Sequence, residues 1–494
     1  MKKFNLFIAV FFISLLIINY TTVKPSQAAF VGQDTHKSES YAHFIMGIIY
    51  DREGEFQKAI AEYKKALEYA PDIAAIHLMI GRNYIKLNEL QEAQCHINKT
   101  IKLNPESIEA HYLAALLYTR EGKYDQAILE YEKILKIDPQ DRLALLSLVD
   151  LYVLEGKNKE AIKAYKDLIK IKELPIFHFN LGLIYVDEEM TDKAIESFKK
   201  AIELDPQFIS AYIALGVVYE MEDQPDIAIS YYNEVLKIDP LNISAYKQLG
   251  NLYYKQDKLS KAEEQYKFIL ELYPEDIGSY ITLSNFYLES KQYRKCIEVL
   301  KKAVELKIKN KDQIYLLLGL SYQRANMPHK AEEAYKKAIS INSDSDIAYF
   351  YLGAFYELNN ERDKAITQFK KAIEINPRNS DALNYLGYMY AEDGVNLDEA
   401  VELLNRAIEI EPENGAYIDS LGWAYYKKGD IDKALSLVKK ASELIEDPVI
   451  YDHLGDIYFK MSRKEEAKKA WLKSLEIESD QQKVKEKIKR LDLE

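Results

Sequence analysis

The chain has 494 residues, a formal charge of -13, eight histidines and two cysteines. The acidity disfavours a phosphate-backbone partner, whose binding rests on lysine and arginine. Cys95 and Cys296 stand too far apart in the chain to suggest a disulfide framework, so an exported form must be stabilised by packing alone.

The first residues, MKKFNLFIAVFFISLLIINY, set two lysines before an apolar run at 6–18, and KPSQAA then supplies small residues. This order predicts a secretory signal peptide over residues 1–28, cleaved near Ala28. An uncleaved anchor is the alternative, although a membrane span needs about 20 apolar residues. No cysteine follows the run to accept a lipid. Removing Lys2, Lys3 and Lys24 takes the charge from -13 to -16. The expected location is outside the cytoplasm, in the periplasm or at the cell envelope, with residues 29–39 as a linker.

From residue 40 onward one unit recurs. Tyr50, Tyr84, Tyr118, Tyr152, Tyr185, Tyr219, Tyr253, Tyr287, Tyr322, Tyr356, Tyr390, Tyr425 and Tyr458 follow one another at 33 to 35 residues. Three places earlier stands glycine in ten units, and Ala115, Val149 or Ser284 in the others; nine places later comes alanine, or Cys296. Only AEDGVNLDEA needs one extra residue, to reach Ala400. A fixed period of this length signals a stacked repeat.

Each unit reads as two helices. In the first, His43, Met46, Gly47 and Tyr50 form one stripe, predicted to face inward, and Ala59, Ile60, Tyr63, Ala66 and Leu67 form another. DREGE is the turn between them, and a proline such as Pro71 closes the unit in eight cases. Pro225 and Pro328 lie instead before the second helix, where a missing N–H costs little. The small residue marks the crossing of the two helices, with the tyrosine expected to fill the wedge beside it. One such pair buries too little to fold alone, and its neighbours cover the remainder.

The pattern LGxxY, alanine, aromatic, alanine, proline resembles the tetratricopeptide repeat family. The resemblance implies an all-α, right-handed superhelical solenoid of about thirteen helix-turn-helix units over residues 40–480. The tail at 481–494, with Val484, Ile488 and Leu491 on one side of a charged helix, looks like its polar cap. Neither the tail nor residues 29–39 has room for a catalytic domain, so the expectation is a protein that is not an enzyme and has no cofactor. His43, His77, His111 and His178 share one place, but tyrosine holds it in later units. Stacked helices lie about 8–10 Å apart, too far for several imidazoles to reach one metal ion at ~2 Å; the place selects an amphipathic ring. Cys296, standing for the crossing alanine, reads as a buried small hydrophobe.

A second row of first-helix places remains apolar. Three before the glycine position stand Phe44, Leu78, Tyr112, Leu146, Phe179, Ile213, Ile281, Leu316 and Phe350, with Lys247 among the polar exceptions. The place directly after it includes Asn251, Asn285, Tyr388 and Trp423, with Tyr426 nearby. In the family this face lines the concave groove that holds extended peptides or partner helices. The resemblance therefore makes Phe44, Leu78, Tyr112, Phe179, Ile213, Lys247, Asn251, Asn285, Phe350, Tyr388, Trp423 and Tyr426 candidate peptide-binding residues; burial against neighbouring repeats is the competing reading. Lys247 and Asn251 match two places of the carboxylate clamp found in chaperone-tail binders, but Thr282, Gln313 and Leu317 depart from the other three. Trp423 suits either a binding anchor or stacking on Tyr388, and Trp471 holds the second-helix core place of Tyr63.

The last repeats also resemble those of bacterial cell-envelope repeat proteins, some of which hold substrates for proteases. The expected partners are other proteins, with peripheral association with envelope complexes, and neither nucleic acid nor a small-molecule substrate. A homo-oligomeric spacer is the alternative, and repeat-type nucleic-acid binding a remoter one.

Overall fold

A computed structural model describes residues 35–307 and 310–491. Among these residues thirteen helix pairs follow one another, from Thr35–Arg52 with Phe56–Tyr69 to Pro448–Lys460 with Lys464–Ile477, and the helix Gln482–Leu491 ends the series. No described residue lies in a strand. The described residues divide into two compact units, one ending at Ala245 and the other starting at Tyr246, each a run of helical hairpins packed side by side. The expected signal peptide lies outside the described residues. Of the expected linker at 29–39, residues 35–39 lie in the helix Thr35–Arg52, and the rest lies outside the described residues. Ser40, buried, ties this start down by donating its hydroxyl to the Ala66 carbonyl at 2.9 Å.

The two helices of a repeat start by different devices. Several first helices are capped by a side chain after the inter-repeat turn: Ser107, Asp141, Asp276, Ser345, Asn379 and Asn414 each accept an early backbone N–H. Second helices mostly lack such a cap and spring from a left-handed residue four places after the repeat tyrosine. Gly54, Gly122, Gly156, Gly394 and Gly429 hold that place, but so do Asn88, Glu189, Asp223, Asp257, Lys291, Asn326, Asn360 and Ser462, all at positive φ. The next residue's N–H then returns to the tyrosine carbonyl at 2.7 to 3.0 Å in every repeat. In the eleventh repeat both Gly394 (φ 68) and Asn396 (φ 48) turn left-handed, which absorbs the extra residue and still delivers Ala400 to the core.

Left-handed backbone costs a β-carbon residue roughly 1–2 kcal/mol, which glycine avoids at some cost in unfolded-chain entropy. Lys291 is exposed at φ 57. Lys291→Gly should therefore raise stability by about 0.5–1 kcal/mol in denaturant melts; a loss would show that the turn is held by something other than backbone geometry.

The helix crossing is tighter than the repeat motif suggests. A methyl group on Gly182 would lie 2.5 Å from the Phe198 ring, and one on Gly216 2.5 Å from Tyr232. The group filling the space beside the glycine is thus the aromatic of the second helix. The repeat tyrosine has another task, which corrects the expectation that it forms the wedge. Its hydroxyl reaches the second helix of the preceding repeat: Tyr152 donates to Glu132 at 3.0 Å, Tyr287 to Glu263 at 2.9 Å and Tyr356 to Glu332 at 2.8 Å. In several repeats a lysine eight places later covers its ring, as Lys295 covers Tyr287 and Lys364 covers Tyr356. The tyrosine is a strap between repeats.

Pro71 and its equivalents lie in the turns between repeats, whereas Pro225 and Pro328 open second helices and Pro175 and Pro448 open first helices. The turn proline explains the shared histidine and tyrosine place. His77 Nε2 lies 3.0 Å from the Pro71 carbonyl and His111 Nε2 2.8 Å from that of Pro105; Tyr280 donates to Pro274 at 3.0 Å. A ring with a polar tip thus satisfies a turn carbonyl that lies outside both helices. The other ring nitrogen meets the second helix nineteen places on: His43 with Glu62 at 2.6 Å, His111 with Glu130 at 2.5 Å and His77 with His96 at 3.0 Å.

Those pairings set a pH dependence. The Glu130 hydrogen bond holds His111 above its ordinary value despite burial. Burial and the neighbouring His77 push His96 down to about 4. The folded chain then binds fewer protons at His96 than the unfolded chain, so this group's contribution to stability falls as pH drops from about 6.5 toward 4. His96→Glu would give His77 the partner that His43 and His111 already have. It should remove about 1 kcal/mol of the loss between pH 7 and pH 5, allowing for partial solvent screening. Urea melts at both values check it.

Candidate polypeptide-binding face

Within the first unit, the first helices of repeats four to six are Arg142–Leu154, Pro175–Asp187 and Ile209–Met221. Steps of three, four and four residues stay on one side of a helix. Along that side the fourth repeat shows Leu143, Leu146, Asp150 and Leu154, the fifth Ile176, Phe179 and Leu183, and the sixth Ile213, Val217 and Met221. Leu143, Leu154, Ile176 and Met221 are 43% to 59% exposed, although large and apolar. Leu146, Phe179, Leu183, Ile213 and Val217 are half-buried, and Asp150 is exposed. This is a largely apolar strip on three neighbouring helices, interrupted by Asp150 and ending at Asp187 in the fifth repeat and Ser210 in the sixth.

The aromatic candidates are held more firmly. Phe44, Tyr112, Phe179 and Phe350 lean on Tyr63, Tyr131, Phe198 and Phe369, each nineteen residues later, at ring separations of 5.7 to 5.9 Å. They close their own hairpins and present one edge. Tyr112 also donates its hydroxyl to Asp141. Leu78 and Ile213 are half-buried, whereas Lys247, Asn251 and Asn285 are exposed. Asn251 accepts the Tyr266 hydroxyl at 2.5 Å.

Tyr388, Trp423 and Tyr426 do come together, in the second unit. Trp423 is 6% exposed and stacks on the imidazole of His453 at 4.0 Å and on Tyr426 at 4.7 Å. Its Nε1–H donates to Glu392 at 2.7 Å, and Lys427 lies over the indole. The expected stacking on Tyr388 is replaced by that on His453, from which Tyr388 stands 6.3 Å away. His453 Nδ1 lies 2.8 Å from the buried Asp419 carboxylate. Burial opposes a charge on His453, but Asp419, with Asp452 and Asp456, outweighs it and holds the imidazole above its usual value. Lys487 of the last helix bridges Asp452 and Asp456, 2.7 Å from each. Val484 and Leu491 of that helix are buried, with Ile488 packed beside them.

The strip residues Leu143, Leu154, Ile176 and Met221 were not among the candidates. They lie at the outer ends of the same stripe, six before and five after the glycine place, and helical phase alone would have added them. His453 as the partner of Trp423 had no sequence signal, since 30 positions separate them.

Profiles described as "Tetratricopeptide repeat" match residues 52–117, 118–174, 209–240, 277–309, 312–345, 347–379, 369–402, 417–448 and 449–481, and one described as "TPR repeat" matches 183–222. Together they cover most of the chain, which belongs to the tetratricopeptide repeat family. Proteins of this family are generally non-catalytic scaffolds that bind other proteins. No curated protein matches the chain. Similar solved structures include the Cut9–Hcn1 hetero-tetramer of APC/C, with TM-score 0.43 and 14% identity over 92% of this chain and 96% of that one. The Naa15/Naa10 complex bound to HypK-THB gives 0.46 and 16% over 87% and 67%. MamA gives 0.30 and 29% over 32% and 93%.

Proposed function

We propose that the protein is a non-enzymatic adaptor that holds a polypeptide along the first-helix strip of repeats four to six, and that it works outside the cytoplasm at the cell envelope. The exposure of Leu143, Leu154, Ile176 and Met221 on one helical side carries the binding part of this reading. Large apolar side chains left in water on adjacent helices mark an interaction surface, and three such helices suit an extended segment or an amphipathic helix better than a small molecule. The export part rests on the order of lysines, apolar run and small residues at 1–28.

The exposed positions make a cleaner test than the aromatic ones, whose loss would also open hairpins. Leu143→Glu, Ile176→Glu and Met221→Glu together should cut protein capture in crosslinked cells at least ten-fold and leave the melting transition in place. Undiminished capture would overturn the binding reading. Export is checked separately, by N-terminal sequencing of the protein from the periplasmic fraction. A first residue at Ala29 supports it, and a cytoplasmic chain still carrying Met1 overturns it.

A further inference from the structure

The repeat places directly before and two after the glycine are core places throughout the array. The first holds Ile80, Ala114, Leu148, Leu181 and their counterparts to Leu454, all buried; the second runs from Asn83 and Leu117 to Ile457, also buried. In inner repeats the neighbouring hairpin supplies that cover. In the first repeat the same places are Met46 and Ile49, exposed at 40% and 42%, with Ile45 at 39% beside them and Ala42 open one turn earlier. Met46, expected to face inward, thus lies on an open side of Thr35–Arg52, the first described helix. At the other end the helix Gln482–Leu491 buries Val484 and Leu491 and turns lysines outward.

We propose that this open face is where two copies of the chain join, helix Thr35–Arg52 against its own counterpart, antiparallel about a two-fold axis between Ile45 and Met46. Such an interface is self-complementary by construction, and the residues agree with it. The axis sets Ala42 of one copy opposite Ile49 of the other, a small residue against a large one, as at the helix crossings inside each repeat. It also sets Glu39 opposite Arg52, two exposed opposite charges, twice over. The pairing does not depend on the polypeptide-binding reading, since it uses other residues on another repeat.

Light scattering and sedimentation of the protein as purified from its native compartment test this. The expected result is a concentration-dependent dimer. Ile45→Glu with Ile49→Glu should weaken association at least ten-fold without altering the melt, both residues being exposed. Glu39→Arg alone should also weaken it, by setting arginine against arginine, and adding Arg52→Glu should restore it. A monomer at all concentrations overturns the proposal, as it would if the chain's own residues before 35 or another protein covered the face. A dimer indifferent to Ile45→Glu/Ile49→Glu overturns it too, and failure of the charge swap to restore association overturns the two-fold register.

Discussion

Trp423→Ala should destabilise the second unit by about 3–5 kcal/mol, the range for removing a buried tryptophan. The indole is 6% exposed and sandwiched between His453 and Tyr426. Its loss would also leave the Asp419–His453 pair with one face uncovered in the interior. Trp423→Phe, which keeps a stacked ring but loses the hydrogen bond to Glu392 and part of the ring volume, should cost less, about 1–3 kcal/mol. A further signature follows from the pair itself. His453 is held above its ordinary value, so its stabilising contribution is complete below pH 6.5 and fades as pH rises through the raised value. Denaturant melts of Trp423→Ala that match the wild type would mean that the indole is displayed for a partner and not packed.

Gly182→Val should cost about 2–3 kcal/mol by overpacking. The added carbons would enter the ring of Phe198, which is fully buried, and that ring already rests on Phe179 and cannot retreat. Repeats three and four show that the clash belongs to the backbone spacing and not to the motif. There Ala115 and Val149 stand at the glycine place with Tyr131 and Tyr165 on the second helix, all buried. Phe198→Leu should therefore rescue much of the Gly182→Val loss, and additive losses in the double variant would contradict the account.

The repeat register was readable because tyrosine, glycine and alanine recur at places whose demands are local: a close crossing, a small buried methyl, a helix end. The turn was less readable. Its left-handed residue is glycine in only some repeats, and Glu189, Lys291 or Ser462 disguise it elsewhere. The task of the repeat tyrosine was also hidden, since its hydroxyl partner belongs to the preceding repeat. For the candidate face, composition pointed to the first helices, while orientation divided the candidates. Phe179 and Phe350 lean onto rings nineteen residues away, Trp423 turns onto His453, and Leu143, Ile176 and Met221 are left in water. Residue type does not distinguish these outcomes, because all are apolar places on first helices.

In the proposed function, the first-helix strip of repeats four to six receives a polypeptide. A photo-crosslinking residue placed in living cells at Ile176 or Met221, and as a control at Ile227, tests it most directly. Ile227 is 40% exposed but lies on the second helix Pro225–Ile238. Protein adducts from Ile176 and Met221, with none from Ile227, are the predicted result. Adducts of equal yield from all three positions, or none from Ile176 and Met221, would contradict it.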